Sequence, residues 1–299
     1  MLKGKTILIT GGTGSLGKAL TERILKCEPK KVIIFSRDEF KQSEMAKDLP
    51  EPRYFLGDVR DVARLNQVLA GVDYVIHAAA LKQVPALEYN PEEAVKTNVQ
   101  GSMNVIQACI ANNVKKCVFI STDKAVNPVN LYGATKLCAE KLFIAANAYN
   151  KTDFVCVRYG NVIGSRGSVI PIFQKLIASG KKVPITSPDM TRFWLTLNEA
   201  VDLVMLGLNV ERGWILVPRA MAMKITDVAR ALMPDCEFDI IGIRPGEKLH
   251  ESLVSNDLER VSMVSLDCMS HYPWDKPYTS DTAKQMGEEL FLSKVNHGI

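Results

Sequence analysis

Three groups of residues in this chain could do chemistry by type and spacing. Near the N-terminus, Gly11-Gly12-Thr13-Gly14-Ser15-Leu16-Gly17 ends an apolar run and opens a helical pattern. Glycines at 11, 14 and 17 suit a dinucleotide: Gly11 permits a tight turn, Gly14 lets backbone approach a pyrophosphate, and Gly17 allows close helix packing. Amides around Thr13, Ser15 and Leu16, at a helix N-terminus, can meet the phosphates. Farther on, Tyr132 and Lys136 stand four apart on a helical pattern and so share a face. A nearby ammonium and a cationic nicotinamide would lower the tyrosine pKa, letting it take a substrate hydroxyl proton as hydride leaves. Just ahead of them an acid adjoins a base, in Ser121-Thr122-Asp123-Lys124.

The second apolar run ends Ser36-Arg37-Asp38. A site for NAD usually has a carboxylate at this strand end to accept from the ribose 2′-hydroxyl, whereas a hydroxyl and a guanidinium suit a 2′-phosphate. Ser36 and Arg37 therefore predict NADP; in the alternative, Asp38 takes the ribose and Arg37 is a surface charge. Gly57-Asp58-Val59 follows the third run, where Asp58, with Val59 beside it, can meet the adenine edge or cap a helix. Ala78 and Ala80 end the fourth with small side chains that let the ribose and nicotinamide approach. His77 reads as a packed strand histidine. Lys82 either reaches the cofactor and substrate or is a surface lysine.

These residues need a frame that brings strand ends together. Short runs rich in Val, Ile and Phe at Thr6–Thr10, Lys31–Ser36, Tyr54–Leu56, Tyr74–Ala78, Lys116–Ser121 and Phe154–Tyr159 read as buried parallel strands. Helical patterns at Leu16–Cys27, Phe40–Lys47, Val62–Ala70, Pro91–Asn112 and Leu131–Tyr149 lie between them. The fold class is α/β, a Rossmann-type doubly wound parallel sheet with ligands at the carboxyl ends of the strands. Beyond about Asn161 the elements shorten, with helices expected at Ile170–Ala178, Leu197–Leu206 and Ile225–Leu232 and strands at Trp214–Val217 and Phe238–Ile241. We therefore expect a dinucleotide domain over 1–162, with 192–217 returning to it. A smaller substrate-binding lobe should take 163–191 and 218–299.

Composition excludes several other classes. The 299 residues are 47% hydrophobic and 23% charged, which is globular rather than disordered. No apolar stretch approaches the roughly 20 residues of a membrane helix, and no cleavage-type signal follows Lys3 and Lys5. The formal charge of +4 is spread without basic arms, so no nucleic-acid partner is expected. Seven cysteines without ligand spacing predict a reduced, cytoplasmic protein and no metal site.

The glycine loop together with Tyr132 and Lys136 resembles the short-chain dehydrogenase/reductase superfamily, in its extended sugar-nucleotide branch. Within it, Ser121-Thr122-Asp123-Lys124-Ala125-Val126-Asn127-Pro128 followed by Leu131-Tyr132-Gly133-Ala134-Thr135-Lys136 is similar to the UDP-N-acetylglucosamine 4,6-dehydratases of the C5-inverting type. That resemblance implies the first step of pseudaminic acid biosynthesis, which serves flagellin glycosylation. It implies that Tyr132 deprotonates O4 with Lys136 in support and that Thr122 bonds the 4-oxygen. Lys124 would take the C5 proton, given a neutral fraction maintained by burial and positive neighbours. Asp123 would protonate the departing C6 hydroxyl. For UDP-N-acetylglucosamine it implies contacts from Lys82, from Asn161 and Ser168 in the segment 158–169, and from Arg192, Arg244 and Glu247. The arginines could clamp the diphosphate, and Glu247 could accept from ribose hydroxyls. The family also implies a homo-oligomer, dimer-based or hexameric. The rival readings are an NADP-linked UDP-sugar 4-epimerase or 4-reductase, and a non-catalytic NADP-binding sensor on the same fold.

Overall fold

Thr6–Thr10 and Lys116–Ile120 are buried at every position, as strands covered by helices on both faces must be. They lie inside a nine-stranded sheet, described here from a computed structural model covering residues 1–165, 168–256 and 260–297. From one edge the order is His271–Pro273, Val261–Val264, Ile215–Pro218, Asp153–Val157, Lys116–Ile120, Tyr74–His77, Thr6–Thr10, Lys31–Ser36 and Arg53–Leu56. All neighbours are parallel except the first two. Thr6–Thr10 pairs with Lys31–Ser36 on one side, Thr6 opposite Lys31, and with Tyr74–His77 on the other, Ile7 opposite Tyr74. Strand order reverses there, and this switch point opens a crevice at the carboxyl ends. The doubly wound α/β expectation holds.

The later chain divides differently from the expected boundaries. Within 192–217, Leu197–Gly207 and Ile215–Pro218 pack with the large sheet, whereas Thr191–Leu195 joins a three-stranded sheet with Asn161–Val162 and Met221–Lys224. Residues 261–264 and 271–273, expected in the smaller lobe, extend the large sheet instead. Among the described residues the buried apolar side chains gather in two cores. Thr191–Leu195 borders both, burying Phe193 and Leu195 in the larger and Trp194 in the smaller, as alternate residues of a strand should. That two-sided burial is why this run shows no polar alternation.

The expected single helix over Pro91–Asn112 is broken. Pro91–Ala94 is α-helical, Val95–Gln100 is a wider π turn, and Gly101–Ala111 resumes the α-helix. The wide turn buries Asn98, whose carboxamide binds the amide and carbonyl of Leu81 at 2.8 and 3.0 Å and the hydroxyl of Thr135 at 3.1 Å. One side chain thus ties the loop after the fourth strand to the helix carrying Tyr132. The helix Leu131–Ala145 runs on into a 3-10 turn at Ala146–Tyr149.

Candidate active site

The glycine loop is shaped by contacts a side chain would break. Gly11 has φ +67°, and a β-carbon there would lie 2.8 Å from the backbone of Ala79. At Gly17 a β-carbon would lie 2.4 Å from the carbonyl oxygen of Gly12, so the helix Ser15–Leu25 can press on the loop only without one. At Gly14 the nearest atom is its own loop's Gly11 carbonyl at 3.3 Å, leaving its outer side open to a ligand. The loop forms one wall of a cleft of about 990 Å³ at the carboxyl ends of the strands.

Gly11, Thr13, Gly14, Ser15, Leu16 and Gly17 line this cleft, as do Ser36, Arg37, Asp58, Val59, Ala78, Ala80 and Lys82. Thr122, Lys124, Tyr132 and Lys136 line its other end. Asp58 is not the cap of the following helix; its carboxylate accepts from the Arg60 amide at 2.9 Å and from Arg60 Nη2 at 2.8 Å and Nε at 3.0 Å, with Arg37 at 3.4 Å. Burial opposes its charge, but the hydrogen bonds of Arg60 and both guanidinium charges hold its pKa below the usual range. The neighbouring helix Val62–Leu69 is capped by Asp61 instead. Asp38 likewise caps the helix Glu39–Asp48. The wall also includes Lys41, paired with Asp38 at 2.7 Å, and the buried hydroxyls of Thr97 and Ser121, which have no hydrogen-bond partner and were given no role of their own from the sequence. Orphaned hydroxyls beside a glycine cradle and exposed cations fit the polar periphery of a dinucleotide.

Thr122 ends the extended chain after Lys116–Ile120 and caps a 3-10 turn, Asp123–Ala125. Its hydroxyl donates to Asp123 Oδ1 at 2.9 Å, and Lys124 Nζ donates to the same oxygen at 3.0 Å. Asp123 is fully buried behind these two residues rather than on the cleft wall. Its Oδ2 has no hydrogen-bond partner and faces Gly160, where a β-carbon would come within 3.2 Å. Asn130 caps the next helix, accepting from the amide of Gly133 at 2.8 Å, and so sets Tyr132 over the turn.

The proton affinities depart from the expected ones. Burial raises the pKa of Tyr132, and although the Lys124 charge and the Thr122 hydroxyl oppose it, the net direction is upward. Lys136 donates to the Ile120 carbonyl and lies 3.9 Å from the centre of the Phe119 ring; burial brings it down to about 7. Lys124 does not meet the condition of positive neighbours. Burial favours its free amine, but Asp123 at 3.0 Å and Glu251 at 3.6 Å outweigh burial and the Arg192 charge, so its pKa is raised. The ammonium form of Lys124 is thereby favoured. His77 is packed as expected, bonded to Thr10 at 2.7 Å and Ser102 at 3.2 Å, and burial takes it down to about 3.

A family model described as polysaccharide biosynthesis protein matches residues 7–271. The chain is 57% identical over 267 residues to a UDP-N-acetylglucosamine 4,6-dehydratase (inverting) of Campylobacter jejuni subsp. jejuni serotype O:2, covering 86% of this chain and 79% of that one. It belongs to the polysaccharide biosynthesis protein family. Members carry more than one activity name: a UDP-glucose 4-epimerase of Rickettsia bellii is 46% identical over 271 residues, covering 86% and 80%. The X-ray structure of Pen from Bacillus thuringiensis superposes with a TM-score of 0.90 at 36% identity, covering 99% of this chain and 98% of that one.

In this family member the residues expected at the substrate end are only partly gathered. Lys82, Asn161, Ser168 and Glu247 line the cleft, and the Ser168 hydroxyl is buried without a hydrogen-bond partner. Arg166 and Gly167, in the same segment, lie outside the described residues. Arg192 is not on the wall. Its guanidinium donates to the carbonyls of Thr191 at 2.7 Å, Leu249 at 3.1 Å and Lys248 at 2.9 Å, so it braces backbone where a diphosphate clamp was expected. Arg244 is exposed and binds Glu247 Oε1 through Nη2 at 2.6 Å and Nε at 3.0 Å. Glu251, Asn98 and the buried Glu140–Arg158 pair had no signal in the sequence beyond their polarity. Among the described residues the cysteines form no disulfide, no metal-ligating cluster occurs and no helix is long and apolar enough to cross a membrane.

Proposed function

We propose that this chain is a UDP-N-acetylglucosamine 4,6-dehydratase that uses NADP, inverts C5 and opens a pseudaminic acid pathway as a cytoplasmic homo-oligomer. The observation that carries the reading is the Asp123–Lys124 pair, joined at 3.0 Å, with Lys124 on the cleft wall beside Thr122 and Tyr132 and Asp123 buried directly behind it. Moving a hydride off and back onto C4 requires no such pair. Removing water across C5 and C6 requires an acid and a base together.

Tyr132 takes the O4 proton as a phenolate, and Thr122 holds that oxygen. The tyrosine's own proton has passed to solvent, a loss that the cationic nicotinamide of bound NADP would favour against the upward push of burial. Bound NADP would supply the place where the C4 hydride is held before it returns at C6. The C4 ketone acidifies the C5 proton. In the ion-paired form the acid lacks its proton and the base is already protonated. Passing one proton from Lys124 Nζ to Asp123 Oδ1 along their contact readies both groups. Elimination restores the ion pair, with Lys124 accepting the C5 proton as Asp123 protonates the departing C6 hydroxyl, released as water. Lys124 then returns a proton to C5. Ser36 and Arg37, with Lys41 nearby, favour a 2′-phosphate and therefore NADP.

The 4-epimerase reading has the Rickettsia bellii relative in its favour. The two part on mass. Incubated with UDP-N-acetylglucosamine, a dehydratase yields a product lighter by one water in mass spectrometry. An isomer of unchanged mass would establish the epimerase, and NADP binding without turnover of any UDP-sugar would establish the sensor.

A further inference from the structure

Glu251 lies outside the cleft wall, yet its carboxylate faces the base. It is buried, with Oε1 3.6 Å from Lys124 Nζ and 3.9 Å from Arg192 Nε. Its Oε2 lies 3.5 Å from Lys248 Nζ and accepts no hydrogen bond. Lys124 therefore stands between two buried carboxylates, Asp123 on its own turn and Glu251 from a segment more than a hundred residues away. That segment is tightly fixed. The Glu251 amide donates to Ser280 Oγ at 2.9 Å, the Ser280 amide donates to the Glu251 carbonyl at 2.8 Å, and Ser280 Oγ meets Thr191 Oγ1 at 2.6 Å. Lys248 Nζ also donates to the Val126 carbonyl at 2.5 Å, lashing the segment to the catalytic turn.

We infer that Glu251 is a positioning residue that acts through Lys124, holding its ammonium at the Asp123 turn and setting how readily that ammonium releases its proton. The inference rests on the dehydratase reading and deepens it. The groups facing Lys124 are Asp123 from its own turn, Tyr132 from the following helix, Arg192 from the strand Thr191–Leu195, and Glu251 with Lys248 behind it. Three cations thus surround two carboxylates. Neutralising Glu251 leaves Arg192 and Lys248 less compensated beside the ammonium, so Lys124 should give up its proton more easily.

The test compares wild-type protein with Glu251→Gln, which keeps the side-chain shape and leaves the Ser280 backbone bonds in place. The pH profile of C5–H exchange in heavy water is read with UDP-N-acetylglucosamine. The limb that rises with pH should move to lower pH in Glu251→Gln, and Glu251→Asp, which retains the charge one methylene farther off, should fall between. A lower rate with an unmoved limb would overturn the inference, as would a limb moved to higher pH, because a merely structural role changes rate and leaves the midpoint in place. A second readout needs no turnover: NMR titration of ¹³C-labelled Lys124 should give a lower midpoint in Glu251→Gln than in wild type. Coincident titrations would overturn the inference even if the substrate reading failed, and a protein inactive on UDP-N-acetylglucosamine with separated titrations would fail only that reading.

Discussion

Gly133 lies against the backbone of Lys124 so closely that a β-carbon at 133 would sit 2.1 Å from the Lys124 carbonyl oxygen. The missing side chain lets the helix that carries Tyr132 rest directly on the turn that carries Asp123 and Lys124. Gly133→Ala must therefore lift one from the other. Misplacing reacting groups by about 1 Å can cost roughly a hundredfold, so the variant should fold, bind NADP and lose turnover on that order. Steady-state rates with a cofactor titration check this, and wild-type turnover would show that the contact is dispensable.

Arg37 and Ser36 were read from the sequence as a 2′-phosphate site, and both line the cleft. Arg37→Ala should weaken NADP binding roughly tenfold or more, as expected for a charge-assisted contact, while leaving NAD binding nearly unchanged. Fluorescence titration with both dinucleotides decides. Equal losses for the two would return the ribose to Asp38.

The strands were legible because buried parallel strands are written as apolar runs: Thr6–Thr10 and Lys31–Ser36 were found to the residue. The π turn at Val95–Gln100 was not, since one extra residue in a turn barely disturbs an apolar repeat. The residues that line the cleft were legible for a similar reason, each lying at a strand end within a local motif. Arg192 was misread because its type cannot show where its donors go, and here three backbone carbonyls take them. Glu251 was invisible because it is brought beside Lys124 only by the folding of distant segments, which no spacing along the chain encodes.

Glu140 and Arg158 form a forked pair inside the large core, at 3.0 and 2.6 Å, with Arg158 Nη1 also on the Leu253 carbonyl at 2.9 Å. Glu140→Ala would take the forked carboxylate from a buried guanidinium, and stability should fall by about 3–5 kcal/mol. Urea unfolding measures it; a loss well below that range would mean water or rearrangement satisfies Arg158.

His77 gives a pH signature of stability. Burial, with the Lys136 charge adding, holds its folded pKa at about 3 against an ordinary 6.5. The unfolded chain thus binds the extra proton first, and stability is lost as pH falls from about 6.5 toward about 3. Above 6.5 both states are neutral and the contribution is complete. His77→Asn should flatten this part of the profile in denaturant titrations. Parallel profiles for the two proteins would exclude His77 as its source.

The central claim is that Lys124 removes a proton from C5 while Asp123 discharges water from C6. Proton NMR of UDP-N-acetylglucosamine incubated with the protein and NADP in heavy water tests it most directly. Wild type should produce a C6 methyl signal with deuterium at C5, and Lys124→Ala should produce neither. A C4 epimer without the methyl signal, or normal C5 exchange in Lys124→Ala, would contradict the account.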